Sequence, residues 1–328
     1  MLASHLDKKF DTPEMEKVPS RNGYGEGLVE AGKRDERVVA LAADLTESTR
    51  TADFAEEFPD RFIQVGITEQ NMASVASGMA AMGKIPFIAS YAMFSPGRNW
   101  EQIRTTIAYN DSNVKIIGAH AGVSVGPDGA THQAIEDIAL MRVVPNMIVV
   151  APADVHEARK VVLAAAKHEG PVYIRLGRSG TPVVTTPESP FEIGKAEVFY
   201  KKNEEAKDSI GIVVTGTLLY NALKAAKTLE NEGVGVSVLH MPTIKPLDTE
   251  ALIKFAGEHN KGLITIEEHQ RAGGLGGAVV ECLTESLPTK VLRVGVDDQF
   301  GQSGEPDELV EHYGMGVDSI VKTGKSLL

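Results

Sequence analysis

The chain has 328 residues, a formal net charge of −12 and a single cysteine. The charge argues against nucleic acid and anionic membrane as partners, and Cys282 alone cannot form an internal disulfide. The length suits two domains of ordinary size, each able to bury its own core.

Residues 1–20 are polar and carry Pro13 and Pro19, which reads as an arm or short helix laid on a partner. The segment lacks the apolar core of a signal peptide, and no run reaches the roughly 20 apolar residues of a bilayer span. A cytoplasmic location is expected. From 21 to 182, short apolar runs predict strands at 38–42, 62–65, 85–89, 114–117, 147–150 and 172–174. Their lack of alternation fits parallel strands buried on both faces. Helical patterns fall between them at 69–82, 98–109, 133–141 and 153–168. Asp154, behind Pro152, marks the start of the last. Three prolines in Thr181–Pro190 signal a linker, placed at 183–190. Over 191–328 the alternation restarts, with strands at 210–214, 234–239, 262–266 and 290–294. Helices are predicted at 217–231, 248–258, 274–286 and 305–313. The fold class is α/β: two doubly wound domains with mostly parallel sheets.

The most informative run is Gly66-Ile67-Thr68-Glu69-Gln70-Asn71-Met72-Ala73-Ser74-Val75. It places Glu69 at a strand-to-helix junction, where parallel α/β sheets hold ligands. A first-turn Glu complementing the helix dipole is the plainer alternative. The run resembles the pyrimidine-domain motif of transketolases. Further blocks follow in that family's order: Ala43-Asp44-Leu45-Thr46-Glu47-Ser48, Tyr91-Ala92-Met93-Phe94 and Trp100-Glu101-Gln102-Ile103-Arg104. After these come the segment His120–Gln133 with Asp128 and His132, then Arg175-Leu176-Gly177-Arg178, then Gly273-Gly274-Leu275-Gly276.

The resemblance implies a thiamine diphosphate pyrimidine-binding domain over 21–182 and a transketolase C-terminal-like domain over 191–328. It implies that Glu69 hydrogen-bonds the aminopyrimidine and that Phe94 stacks on it. Asp44 and Trp100 match other cofactor-side positions. His120, Asp128 and His132 are implied to line the substrate channel. The two histidines are the expected proton carriers, suited to that work if they titrate near neutrality. Arg21, Ser48 and Arg178 match the clamp on a sugar's distal phosphate, chemistry that suits guanidinium forks. The glycine run at 273–277 does not satisfy G-x-G-x-x-G and reads as a tight turn into a packed helix.

The Gly-Asp-Gly…Asn signature for the cofactor's diphosphate is missing. No residue here is assigned to the metal, Mg²⁺ or Ca²⁺, which a partner is expected to hold. The implied protein is therefore one subunit of a split transketolase, transferring a two-carbon ketol unit between sugar phosphates in the pentose phosphate pathway. It is expected to be active only with an N-terminal subunit and to assemble into a heterotetramer. The alternatives are a beta subunit of a 2-oxo acid dehydrogenase, a 1-deoxyxylulose-5-phosphate synthase-like enzyme, or a catalytically silent partner subunit.

Overall fold

A computed structural model describes residues 1–328. The first sheet has seven strands, in the order Thr243–Lys245, Ile148–Val150, Val172–Arg175, Lys115–Ala119, Ile85–Tyr91, Val38–Ala42, Phe62–Gln64. The last six are parallel. The edge strand Thr243–Lys245 arrives from the second half of the chain and runs antiparallel to Ile148–Val150. The second sheet has five strands, in the order Val291–Val296, Leu263–Gln270, Ser209–Val214, Gly235–His240, Glu197–Tyr200. Only the Glu197–Tyr200 edge is antiparallel. The α/β class and the mostly parallel sheets agree with the sequence reading.

Side-chain alternation along each strand divides the core. Val38 and Ala40 face the helices Ser20–Arg34 and Val155–Lys167. Val39 and Leu41 face a core that also takes Val213, Leu239 and Leu263 from the second sheet. The two sheets therefore share one apolar layer rather than meeting at a wet seam.

The first twenty residues were expected on a partner, but they lie on their own chain. Leu6 and Phe10 are buried against Ile210, Ile212 and Leu223 of the second unit. Asp11 pairs with both Lys224 and Lys227. Lys17–Pro19 forms an antiparallel pair with Gly180–Pro182. The 183–190 stretch is held in place: Asp154 Oδ2 accepts from Val184 N at 2.8 Å and from Thr185 N at 2.6 Å.

One helix lies outside the elements read from the sequence, and one predicted helix shortens. Ser20–Arg34 is helical although Gly23, Gly25, Gly27 and Gly32 weaken it, each by about 1 kcal/mol relative to Ala. Packing overrides propensity: a Cβ at Gly23 would lie 2.0 Å from Val155 O. Only glycine lets these two helices cross so closely. The helix predicted at 133–141 is confined to Asp137–Arg142. Ala134 and Ile135 instead spend their carbonyls on Gly122 N and Gln270 N. No helix is long and apolar enough to cross a membrane.

Candidate active site

The site gathers at the C-terminal ends of the first sheet's strands, where parallel sheets leave room for ligands. The loop after Val38–Ala42 carries Asp44 to Arg50. The turn after Phe62–Gln64 leads to Glu69. Phe94 and Arg98 follow Ile85–Tyr91, His120 follows Lys115–Ala119, and Arg178 follows Val172–Arg175.

Glu69 is 1% exposed and opens the helix Glu69–Ala81. Its Oε2 accepts from Arg98 Nη1 at 2.8 Å. Its Oε1 accepts only a long 3.3 Å bond from Ser90 Oγ, so acceptor capacity remains. Asn99 fixes the backbone by donating from Nδ2 to Glu69 O at 3.0 Å. The helix-dipole alternative does not account for a side chain this buried and this specifically bonded. Phe94 packs edge-on to His132, with centroids 5.5 Å apart, and carries the Arg98 guanidinium 4.7 Å above its ring.

His120 sits in the left-handed region, with φ 54°, which is uncommon outside glycine. Its ring stacks on Tyr91 at 3.9 Å. Arg21 Nη1 lies 3.3 Å from His120 Nε2 and donates to Ser48 O at 2.7 Å. Arg21 can only donate, so Nε2 is the acceptor and Nδ1 carries the proton. Burial, reinforced by Arg21, Arg178 and His132, holds the His120 pKa down to about 3. Titration near neutrality, expected from the sequence, therefore does not apply to His120 in this chain: the ring is neutral at physiological pH. His132 Nδ1 is 2.9 Å from Thr131 Oγ1.

Arg21, Arg178 and a third arginine, Arg50, form a cationic cluster. Burial first, then Arg50 and Arg178, push the Arg21 pKa down. Arg50 Nε donates to Asn22 Oδ1 at 3.0 Å, and Arg178 Nη1 donates to Val125 O at 3.2 Å. No carboxylate pairs with any of the three. In a chain of net charge −12, three converging guanidinium groups left without a counter-charge suit a dianionic ligand.

The second unit props the loop that carries His120 and His132. Glu268, wholly buried, accepts from Ser124 N at 2.6 Å and from Thr217 Oγ1 at 3.2 Å. A Cβ at Gly122, with φ 88°, would lie 2.3 Å from Glu268 Oε1. Gln133 donates to Val123 O at 3.0 Å and to Gln302 O at 2.9 Å. Burial raises the Glu268 pKa, opposed most by nearby Arg175.

Glu69, Phe94, His132, His120, Arg21 and Arg178 are thus joined by a chain of contacts that runs through Arg98 and Tyr91. Ser48 reaches it through its carbonyl, not its hydroxyl. Asp128 is exposed on the same loop and makes no side-chain hydrogen bond. Asp44 is exposed at φ 58°, with its backbone N–H given to Gln64 Oε1. Trp100 turns away: its Nε1 donates to Leu140 O at 2.9 Å and its ring packs on the shared core. Sequence reasoning missed Arg50, Arg98 and Glu268 as contributors. The first two lie within four residues of Ser48 and Phe94, so they were findable by position. Nothing local to Glu268 signals its reach into another unit.

The buried Glu69 carboxylate and the Phe94 ring, both contacted by Arg98, fit a flat nitrogen heterocycle such as the pyrimidine of the cofactor that the resemblance implies. Arg21 Nε and His120 Nδ1 are buried polar atoms without partners, as expected where a polar ligand completes the site. No group of three or more His, Cys, Asp or Glu residues could hold a metal ion. The residues present fit the pyrimidine end of the group.

Residues 16–183 match the transketolase pyrimidine binding domain, and residues 200–320 match the transketolase C-terminal domain. A Methanocaldococcus jannaschii protein, provisionally described as a transketolase C-terminal section, is 45% identical over 305 residues. That alignment covers 92% of this chain and 94% of the relative. A split-gene transketolase solved as an inactive β4 tetramer superposes with a TM-score of 0.87 at 47% identity. It covers 95% of this chain and 98% of its own. A Campylobacter jejuni transketolase superposes at 0.81 with 25% identity, over 98% of this chain but 48% of the longer one.

Proposed function

This chain belongs to the transketolase family, and on that premise we propose that it is the C-terminal subunit of a split, thiamine diphosphate-dependent transketolase. The observation that carries the proposal is the placement on one crest of a buried, under-bonded carboxylate, Glu69, and a three-arginine cluster with no counter-charge. A ketose phosphate needs both: a cofactor site at one end and a dianion site at the other. When bound, thiamine diphosphate supplies the nucleophilic carbon that takes up the two-carbon ketol unit.

The residues of this chain have distinct tasks in that reaction. Glu69 hydrogen-bonds the pyrimidine's ring nitrogen, and Phe94 holds the ring flat. Neutral His120 donates a hydrogen bond from Nδ1 to a sugar oxygen, while its Nε2 accepts from Arg21. His132 works beside it. Arg21, Arg50 and Arg178 fix the phosphate and so set where the reacting carbon lies. Asp128 and Ser48 extend the same channel. The domain boundaries proposed are 21–182 and 191–328.

An N-terminal partner supplies the diphosphate site and the metal. Support comes from the missing Gly-Asp-Gly…Asn signature and from the similar split-gene protein, which is described as an inactive β4 tetramer. The working enzyme in this reading is a cytoplasmic hetero-oligomer. The test is ketol transfer assayed with cofactor and Mg²⁺, for the chain alone and with the partner added. The proposal requires turnover only in the mixture. Robust turnover by the chain alone would contradict it.

A further inference from the structure

Arg98 touches two surfaces at once, the carboxylate edge of Glu69 and the aromatic face of Phe94. Its Nη1 donates to Glu69 Oε2 at 2.8 Å while its guanidinium carbon stands 4.7 Å from the Phe94 centroid. The Arg98 side chain is 44% exposed and that of Glu69 is 1% exposed, so Arg98 enters from solvent against a fixed wall. The next residue is anchored: Asn99 Nδ2 donates to Glu69 O at 3.0 Å and to Ser95 Oγ at 3.2 Å. Arg98 can therefore leave by rotating its own side chain, without moving the backbone.

A guanidinium is planar and delocalised, offers N–H donors at its edge, and stacks on aromatic faces. An aminopyrimidine presents the same three properties. We infer that Arg98 occupies the place of the aminopyrimidine in the cofactor-free chain, as an internal plug that cofactor binding must displace. The inference rests on the reading of Glu69 given under Proposed function. The plug has a physical purpose. It gives the buried Glu69 a partner until the cofactor arrives, since an unpaired buried carboxylate is costly. The cost is affinity: only the fraction of molecules with Arg98 swung out can bind.

The test uses the two-subunit complex, with thiamine diphosphate and Mg²⁺ as the probe. Binding is followed by calorimetry and by fluorescence, with Trp100, the only tryptophan of this chain, two residues from the plug. Arg98→Met keeps the stem and removes the fork. It should bind cofactor about three- to thirtyfold more tightly, the combined range for a partly exposed ion pair and a cation–π contact. Arg98→Lys, which keeps charge without a planar fork, should fall between Met and wild type. Weaker or unchanged binding by Arg98→Met overturns the plug. A second readout needs no variant. In the wild-type complex, the ¹⁵N signal of the Arg98 side chain should carry a Phe94 ring-current shift that cofactor abolishes. A signal that cofactor leaves unmoved also overturns the plug. A wild-type complex that binds no cofactor at all overturns the functional reading itself, which separates the two failures.

Discussion

At the C-terminal ends of the first sheet, Arg21 Nε and His120 Nδ1 are buried without partners and three arginines lack a carboxylate. At the same ends of the second sheet the chain fills its own sites. Glu267, wholly buried in the strand Leu263–Gln270, accepts from Leu275 N at 2.6 Å and Gly276 N at 2.8 Å. It occupies the N-terminus of the helix Leu275–Ser286, where an anionic ligand would otherwise bind. The glycine run makes this possible: a Cβ at Gly274 would lie 1.9 Å from Glu267 Oε2. The neighbouring Glu268 turns toward the first unit and holds its His120 loop. One topology thus yields an open crest and a sealed one. What separates them is whether the chain's own side chains satisfy the donors displayed there.

Substitutions that swap the roles of the two crests give graded expectations. Glu69→Gln should lower kcat in the reconstituted complex by about 10²–10⁴, the usual range for a lost acid–base partner, with the fold unchanged by circular dichroism. Arg178→Ala should lower kcat/KM for a phosphorylated ketose by about ten- to a hundredfold, since a charged hydrogen bond contributes roughly 1.5–3 kcal/mol. A short unphosphorylated donor should respond little. Equal loss for both donors would mean that Arg178 holds the loop through Val125 O rather than the substrate.

Glu267→Gln should act on stability instead. Weakening two bonds to buried amides should cost about 1–3 kcal/mol, read as a lower urea midpoint. Activity per folded molecule should stay near wild type, because no atom of Glu267 faces the cleft. The smallest effect concerns His120. Folded, it stays neutral down to about pH 3; unfolded, it protonates near 6.5. Between those values the unfolded state binds the extra proton, so this residue's contribution to stability falls as pH drops from 6.5 toward 3. His120→Gln should therefore lose less stability than wild type between pH 7.5 and 5.0 in urea titrations.

Much of the first crest was legible because its chemistry is local. Gly66–Val75 states a strand end, a turn and a buried helix face within ten residues, and Glu69 falls where that pattern puts it. Parallel strands were legible for the same reason, as compact apolar runs. What stayed hidden depends on distant partners. The Ser20–Arg34 helix, with its four glycines, has no element assigned from the sequence, because what forms it is packing against Val155–Lys167. The first twenty residues read as an arm laid on a partner because the surface they cover, around Leu223 and Lys227, is far away in the same sequence. The 133–141 helix shortens because Gly122 and Gln270 compete for the Ala134 and Ile135 carbonyls. His120 reads as a near-neutral acid because sequence shows neither its burial nor the Arg21 and Arg178 charges beside it. Trp100, matched to a cofactor-side position by resemblance, donates its indole N–H to Leu140 O and packs on the shared core.

The central claim is that, within this chain, the first crest and not the second serves the cofactor. It is tested most directly by the hydrogen–deuterium exchange rate of the cofactor's acidic thiazolium proton, followed by NMR in the assembled complex. Wild type, Glu69→Gln and Glu267→Gln are compared at matched occupancy. The account predicts exchange slowed at least about a hundredfold in Glu69→Gln and unchanged in Glu267→Gln. Equal rates in wild type and Glu69→Gln would contradict it and return Glu69 to a structural role at the start of its helix.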